Sequence, residues 1–306
     1  MRRSVAALGL RHPQGNPVIT LVQLPELRHE LVKAERGIPE DQRGSEMTRR
    51  HTATLRKASL WWASADMTKL AMDAADGLPP WTPDIAAPER AGLLWFSAPI
   101  GTSPAEPEPG FNDSGQSVES MLGSGDVHGV HWSIQDGEVL TLTFYGLVHD
   151  PEQRARSAPM WVDIFEIGVF SLAAWVAFDP QGEQISDPWA RRIVHIIGAA
   201  WLLMQQPTVA TQTRQRGMLY GGGARKPKKQ DLIQVIDLRR LARGTKDTEV
   251  KHEGREYHTR WLVRGHWRQQ RVGPGRKYTK PVFVAPHIKG PDGAPLKTER
   301  VNAWRR

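Results

Sequence analysis

The chain has no cysteine, which excludes disulfide bridges, thiolate nucleophiles and cysteine-ligated zinc together. It also lacks a long apolar run. The longest stretches, residues 169–178 and residues 193–204 with His195 inside the second, fall short of the roughly 18–20 residues that a membrane span requires. The opening MRRSVAALGLRHPQG breaks its short apolar segment at Arg11, His12 and Pro13 before any cleavage-site pattern, so no signal peptide is expected. Catalytic signatures are equally scarce. No H-E-x-x-H occurs, the triple glycine at 221–223 lacks the Lys-Ser/Thr of a phosphate-binding loop, and the GPGR at 273–276 reads as a turn rather than a dinucleotide fingerprint. The expectation is a soluble cytoplasmic protein with no cofactor, no bound metal and no membrane contact.

Acidic residues are scarce in one place only. Residues 207–306 hold 8 Asp and Glu against 24 Lys and Arg, whereas residues 1–206 hold 25 against 17. The formal charge of +8 therefore conceals a body at −8 and a C-terminal region at +16. Such asymmetry calls for a polyanionic partner at the basic end, nucleic acid ahead of a membrane surface. With 306 residues, 39% apolar and 24% charged, the chain is long enough for two domains with cores of their own.

Patterning predicts an α+β protein, with a mixed helical and antiparallel N-terminal body followed by a small basic antiparallel β-module. Residues 1–46 read as a loosely ordered extension with one strand-like run at 18–24, and Met47 offers an alternative start. From Thr48 to about Asp76, Leu55, Trp62, Met67, Leu70 and Ala74 recur at helical spacing. Residues 92–96 read as a buried strand and 101–125 as a long Gly- and Pro-rich loop. Residues 127–148 read as a hairpin turning at Asp136-Gly137. Residues 160–178 begin as a strand, and their second half fits a strand or a short helix equally. Asp187-Pro188 opens a helix running to about Gln206, with Ile193, Ile197, Ala200 and Met204 buried. The divisions are thus 1–46 extension, 47–206 acidic body, 207–230 basic Gly-rich linker and 231–306 basic module, whose first strand is residues 232–238.

Within that module, YHTRWLVRGHWRQQR at 257–271 places a cationic or titratable side chain at nearly every second position. Read as a strand, it puts His258, Arg260, Leu262, Arg264, His266, Arg268 and Gln270 on one face and Thr259, Trp261, Val263, Gly265, Trp267 and Gln269 on the other. Residues 281–287 would return beside it, and residues 300–304 would add a third strand. Cationic or titratable side chains two residues apart on a strand are spaced by roughly 6–7 Å, which suits successive phosphates. Arg260, Arg264, Arg268, Arg271, Arg276 and Lys277 are accordingly the candidate nucleic-acid-binding residues, and Trp261, Trp267 or Tyr278 could stack on bases.

Two other readings stay open. His258, His266 and His287 beside arginines could supply the proton acceptor, proton donor and cation of a metal-independent, toxin-like ribonuclease. Alternatively the module is a protein-interaction scaffold docking on the acidic body, with Glu253, Glu256 and Glu299 as local neutralising acids, and the body could serve a protein partner or self-association. His128 and His131, three apart on one strand, are expected on opposite faces and therefore as structural residues.

Three stretches carry a resemblance: SLWWASADMTKLAMDAADGLPPWTP at 59–83, AAWLLMQQPTVA at 199–210, and HTRWLVRGHWRQQRVGPGRK with PVFVAPHIKGPDGAPL at 258–296. In these the chain resembles a family of uncharacterised proteins common in high-GC Gram-positive bacteria and their mobile elements. The resemblance spans much of residues 48–306. It implies a bacterial cytoplasmic protein in a phage, plasmid or genome-maintenance setting, and carries over no catalytic residue.

Overall fold

In a computed structural model of the chain, the described residues are 19–37, 46–102, 110–111, 117–118, 126–134, 140–148, 161–164, 167–172, 188–217, 232–239, 258–291 and 293–295. They form an α+β protein, as its patterning predicts. The helices are α1 (Leu24–Gly37), α2 (Glu46–Lys57), α3 (Ala65–Ala75), α4 (Pro83–Ala86) and α5 (Pro188–Met204). The body strands are β1 (Ser59–Ala63), β2 (Ala91–Phe96), β3 (Gly101–Thr102), β4 (Gly110–Phe111), β5 (Ser117–Val118), β6 (Asp126–Ile134), β7 (Leu140–Val148), β8 (Trp161–Ile164), β9 (Ile167–Leu172), β10 (Ala210–Arg216) and β11 (Leu232–Leu238).

Most of these strands join one mixed sheet in the order β10-β11-β1-β2-β6-β7-β9-β8, with β3 beside β6. The pairs β11–β1 and β1–β2 are parallel, and the other pairs are antiparallel. Parallel neighbours need a crossover, which α3 and α4 supply between β1 and β2. Both faces of the centre of the sheet are covered. One packs Trp61, Leu94, Phe96, Trp132, Phe144 and Ile236 against α3, α4 and α5. The other packs Leu60, Leu93, Trp95, Tyr145, Ile233 and Val235 against Leu24, Leu27 and Leu31 of α1 and Leu55 of α2.

This double burial corrects the single helix expected over residues 48–76. SLWWA is apolar on consecutive positions because neighbouring side chains enter different cores, the signature of a strand covered on both sides. The helical spacing was assembled from two helices and the strand between them. Ser64 restarts the chain as the cap of α3, its Oγ accepting from the Met67 N–H at 3.4 Å.

The N-terminal expectation changes too. Residues 24–37 form α1 rather than part of a strand-like run and a loose extension, and Leu24, Leu27 and Leu31 are almost wholly buried. Arg28 ties this helix to the end of α2 by donating from its guanidinium to Ala58 O at 2.7 Å.

Two further segments move into the body. Residues 210–216, expected in a linker, form edge strand β10, and residues 232–238, expected to open the basic module, form β11 between β10 and β1. Ile233, Val235 and Ile236 are buried on the two faces, a role that a satellite module could not give them. The hairpin β6–β7 and helix α5 match their expectations, with Ile193, Ile197, Ala200 and Met204 buried. The turn at Asp136-Gly137, most of the loop at 101–125, the second half of 160–178, the glycine-rich stretch at 218–230 and the third strand at 300–304 lie outside the described residues, as do Glu253, Glu256 and Glu299.

Candidate nucleic-acid interface

The C-terminal segment is one long antiparallel ribbon with a break near its middle. Strand β12 (Trp261–Val263) pairs with β15 (His287–Lys289), and β13 (His266–Val272) pairs with β14 (Tyr278–Val284). The continuous strand expected over 257–271 is interrupted at Arg264-Gly265, and its partner at Ala285-Pro286. A Cβ on Gly265 would lie 2.6 Å from Cζ of Phe283 and 3.1 Å from Cδ of Pro286, and proline offers no N–H to continue the ladder. At the far end the chain reverses through Gly273, Gly275 and Arg276, all at positive φ.

A two-stranded ribbon is marginal in water, so this one needs a support. Its inner face supplies one. Trp267 and Phe283 pack edge to face at 5.2 Å, Phe283 joins the main core, and the Trp267 indole N–H donates to Ala74 O at 2.7 Å near the end of α3. The backbone N–H of Phe283 donates to Gln206 Oε1 at 3.1 Å, and Gln269 reaches Pro80 O at 3.3 Å. Lys280 donates to Gln205 Oε1 at 3.1 Å, and burial pushes its pKa below the ordinary lysine value. These anchoring contacts use indole, amide and ammonium groups. On the body side, Asp73 and Asp76 bond to Lys69 and Arg192.

The outer face is therefore left to solvent. From Trp261 to Arg268 exposure alternates as the strand reading requires: Leu262, Arg264, His266 and Arg268 are exposed, while Trp261, Val263, Gly265 and Trp267 are partly covered. Gln270 is exposed as expected, but so are Thr259 and Gln269, expected on the covered face. Arg271, Arg276 and Lys277 extend the exposed cations around the turn. From Tyr257 to Pro291 the sequence contains eight Lys and Arg and no Asp or Glu. Arg268 donates to the neutral Gln270 Oε1 at 3.0 Å.

Arg260 stands apart from this row. Its Nε donates to Ala294 O at 2.7 Å and its backbone N–H to Pro295 O at 2.9 Å, so it clasps the chain that follows β15 and is half-buried. The exposed Arg214 and Arg216 on β10 went unmarked in the sequence, because residues 207–230 read there as solvated linker.

The three candidate catalytic histidines, His258, His266 and His287, are all exposed. Nδ1 of His266 lies 3.1 Å from Arg264 O, and Nδ1 of His287 lies 3.1 Å from Ala285 O. A carbonyl only accepts, so each Nδ1 carries the proton. Both rings are held by their own strands. Among the described residues no group of three His, Cys, Asp or Glu could hold a metal ion.

His128 and His131 depart from expectation. A register shift between Val127 and Gly129 inserts a bulge, which turns the His128 ring onto Trp95, on the face that also carries His131. His128 Nδ1 donates to Phe96 O at 3.1 Å. His131 is buried with its centroid 4.7 Å from that of His51, and Tyr145 Oη lies 3.3 Å from His51 Nε2. Burial first, and the neighbouring His51 second, push the His131 pKa well below the ordinary histidine value. These rings sit inside the body and away from solvent.

No protein-family model matches the chain, and no curated protein matches it. No helix among the described residues is long and apolar enough to cross a membrane.

Proposed function

We propose that this protein binds nucleic acid through the outer face of its C-terminal ribbon, contacting the phosphate backbone. One observation carries the reading: the ribbon is anchored through Trp267 and Phe283, which leaves Arg264 and Arg268 exposed on the outer face and Arg271, Arg276 and Lys277 exposed around the turn, all on an acid-free segment. Guanidinium groups stay charged at every physiological pH and bond phosphate oxygens in a fork. Cations crowded along one strand repel each other, and a polyanion removes that repulsion by replacing released counterions. Phosphate contacts fix position without reading bases, so the expected binding is tolerant of sequence.

The test is fluorescence anisotropy with a labelled oligonucleotide at low salt, comparing the wild type with an Arg264→Ala, Arg268→Ala, Arg271→Ala triple variant. The expected loss is at least about tenfold, since several phosphate contacts disappear together. Full affinity in a variant with unchanged circular dichroism refutes the reading.

A further inference from the structure

Among the described residues, the exposed large apolar side chains are Leu238, Leu262, Tyr278 and Ile288, and all but Leu238 lie on the cationic ribbon. Phosphate contact alone gives no reason for them. Their positions follow from the strand register, because residues directly opposite one another in an antiparallel pair project from the same face. The outer-face pairs are Leu262 with Ile288, His266 with Val284, Arg268 with Val282, Gln270 with Lys280, and Val272 with Tyr278.

Between Leu262 and Val272 the outer face divides lengthwise. There the first chain presents Arg264 in the break and His266, Arg268 and Gln270 on β13, whereas β14 and β15 carry Tyr278, Val282, Val284 and Ile288, so the cationic lane is bounded by Leu262 at one end and Val272 at the other. Lys280 interrupts this second lane in sequence, but its ammonium turns aside to Gln205. Opposed Cα atoms are about 4.5–5.5 Å apart, so a cationic lane runs beside an apolar one at that spacing.

We infer that the ribbon binds single-stranded nucleic acid, with phosphates along the β12–β13 lane and unpaired bases over Tyr278 and the aliphatic residues of β14–β15. This deepens the phosphate-binding reading and rests on it. A duplex keeps its base faces stacked inside and offers an apolar lane little to cover. A single strand presents charge on one edge and flat apolar rings on the other, which is the division the ribbon displays.

The setting of Tyr278 favours bases over a lipid surface. A Cβ on Gly273 would lie 2.9 Å from Tyr278 Cδ2, so the ring is seated against this glycine rather than standing clear of the ribbon. Tyr278 is nevertheless 63% exposed. A supported ring with an open surface suits stacking. The turn residues Arg276 and Lys277 directly precede it, placing cations beside that platform.

The experiment uses the full chain and three labelled probes: a single-stranded oligothymidylate of about 12 nucleotides, a duplex of the same length, and vesicles containing phosphatidylserine. The single strand should bind about tenfold or more tighter than the duplex. Tyr278→Ala should lower single-strand affinity about tenfold while leaving duplex affinity unchanged, because base–aromatic stacking contributes on this scale. Tyr278→Phe should restore binding, and Ile288→Ser should weaken the single strand to a lesser degree. Equal affinity for single strand and duplex, with Tyr278→Ala and Ile288→Ser both neutral, overturns the inference. If the arginine triple variant still loses binding in that case, phosphate contact survives without the base lane. Binding to the vesicles but to neither nucleic acid defeats both readings.

Discussion

The body sheet and the C-terminal ribbon both pack tryptophans inward from strands, yet one is covered on two faces and the other on one. In β2, Leu93, Leu94, Trp95 and Phe96 are buried in succession, alternating between two cores. In β13, Trp267 and its neighbours across the ribbon find a support, and five of the seven residues are exposed. A strand sealed on both sides offers no open face. The ribbon has the reverse properties: it depends on a few contacts with α3 and α5, and those contacts determine that its arginines point outward.

The contrast can be broken first from the body side. A Cβ on Gly92 would lie 2.3 Å from Cη2 of the fully buried Trp132, whose indole N–H is already committed to Glu89 O at 2.9 Å. Gly92→Ala should cost about 3 kcal/mol in global unfolding by denaturant, near the upper end for overpacking a closed core. Trp267→Ala tests the other region. It should cost about 2 kcal/mol through lost packing and the lost bond to Ala74 O, and the loss should be local. Hydrogen exchange should accelerate in residues 266–284 while the strands of the body keep their protection. Equal acceleration in both regions would show that the ribbon is part of one cooperative core.

A smaller effect depends on pH. His131 stays neutral in the folded body because burial and His51 depress its pKa, whereas in the unfolded chain it titrates near about 6.5. Below that value the unfolded state takes up a proton that the folded state refuses. Stability should therefore decline as pH falls through about 6.5, and this contribution should level off only below the depressed folded value. His51 on α2, with Tyr145 on β7, faces the ring, and His131→Phe should flatten the decline in denaturation midpoints measured across pH. An unchanged slope would remove His131 as its source.

The sequence disclosed those features in which one local rule acts alone. Alternation from Trp261 to Arg268 identified which side chains face water, though Thr259 and Gln269 are exposed and Arg260 half-buried against it, and Asp187-Pro188 with an apolar periodicity located α5. It was misleading wherever tertiary burial set the pattern. The run at 59–63 lacks alternation because both of its faces are buried, so its apolar residues merged into a helical period with those of α2 and α3. Strand β11 stands far from its neighbour β1 in sequence and gives no local sign of belonging to the body. The bulge that turns His128 onto Trp95 is a property of strand pairing, invisible in residue spacing. At the candidate site, the arginine row was visible as a pattern, but the diversion of Arg260 to Ala294 and the division of the outer face into two lanes required the register.

The most direct measurement of the central claim is the affinity of the full chain for a short single-stranded oligonucleotide as salt is raised from about 50 to about 200 mM. If each of the five exposed cations Arg264, Arg268, Arg271, Arg276 and Lys277 meets one phosphate, log affinity falls against log salt with a slope of about −3.5. The Arg264→Ala, Arg268→Ala, Arg271→Ala variant should lose most of that slope. An affinity that does not change over this range, or a slope that the variant keeps in full, would contradict phosphate contact by the outer face of the ribbon.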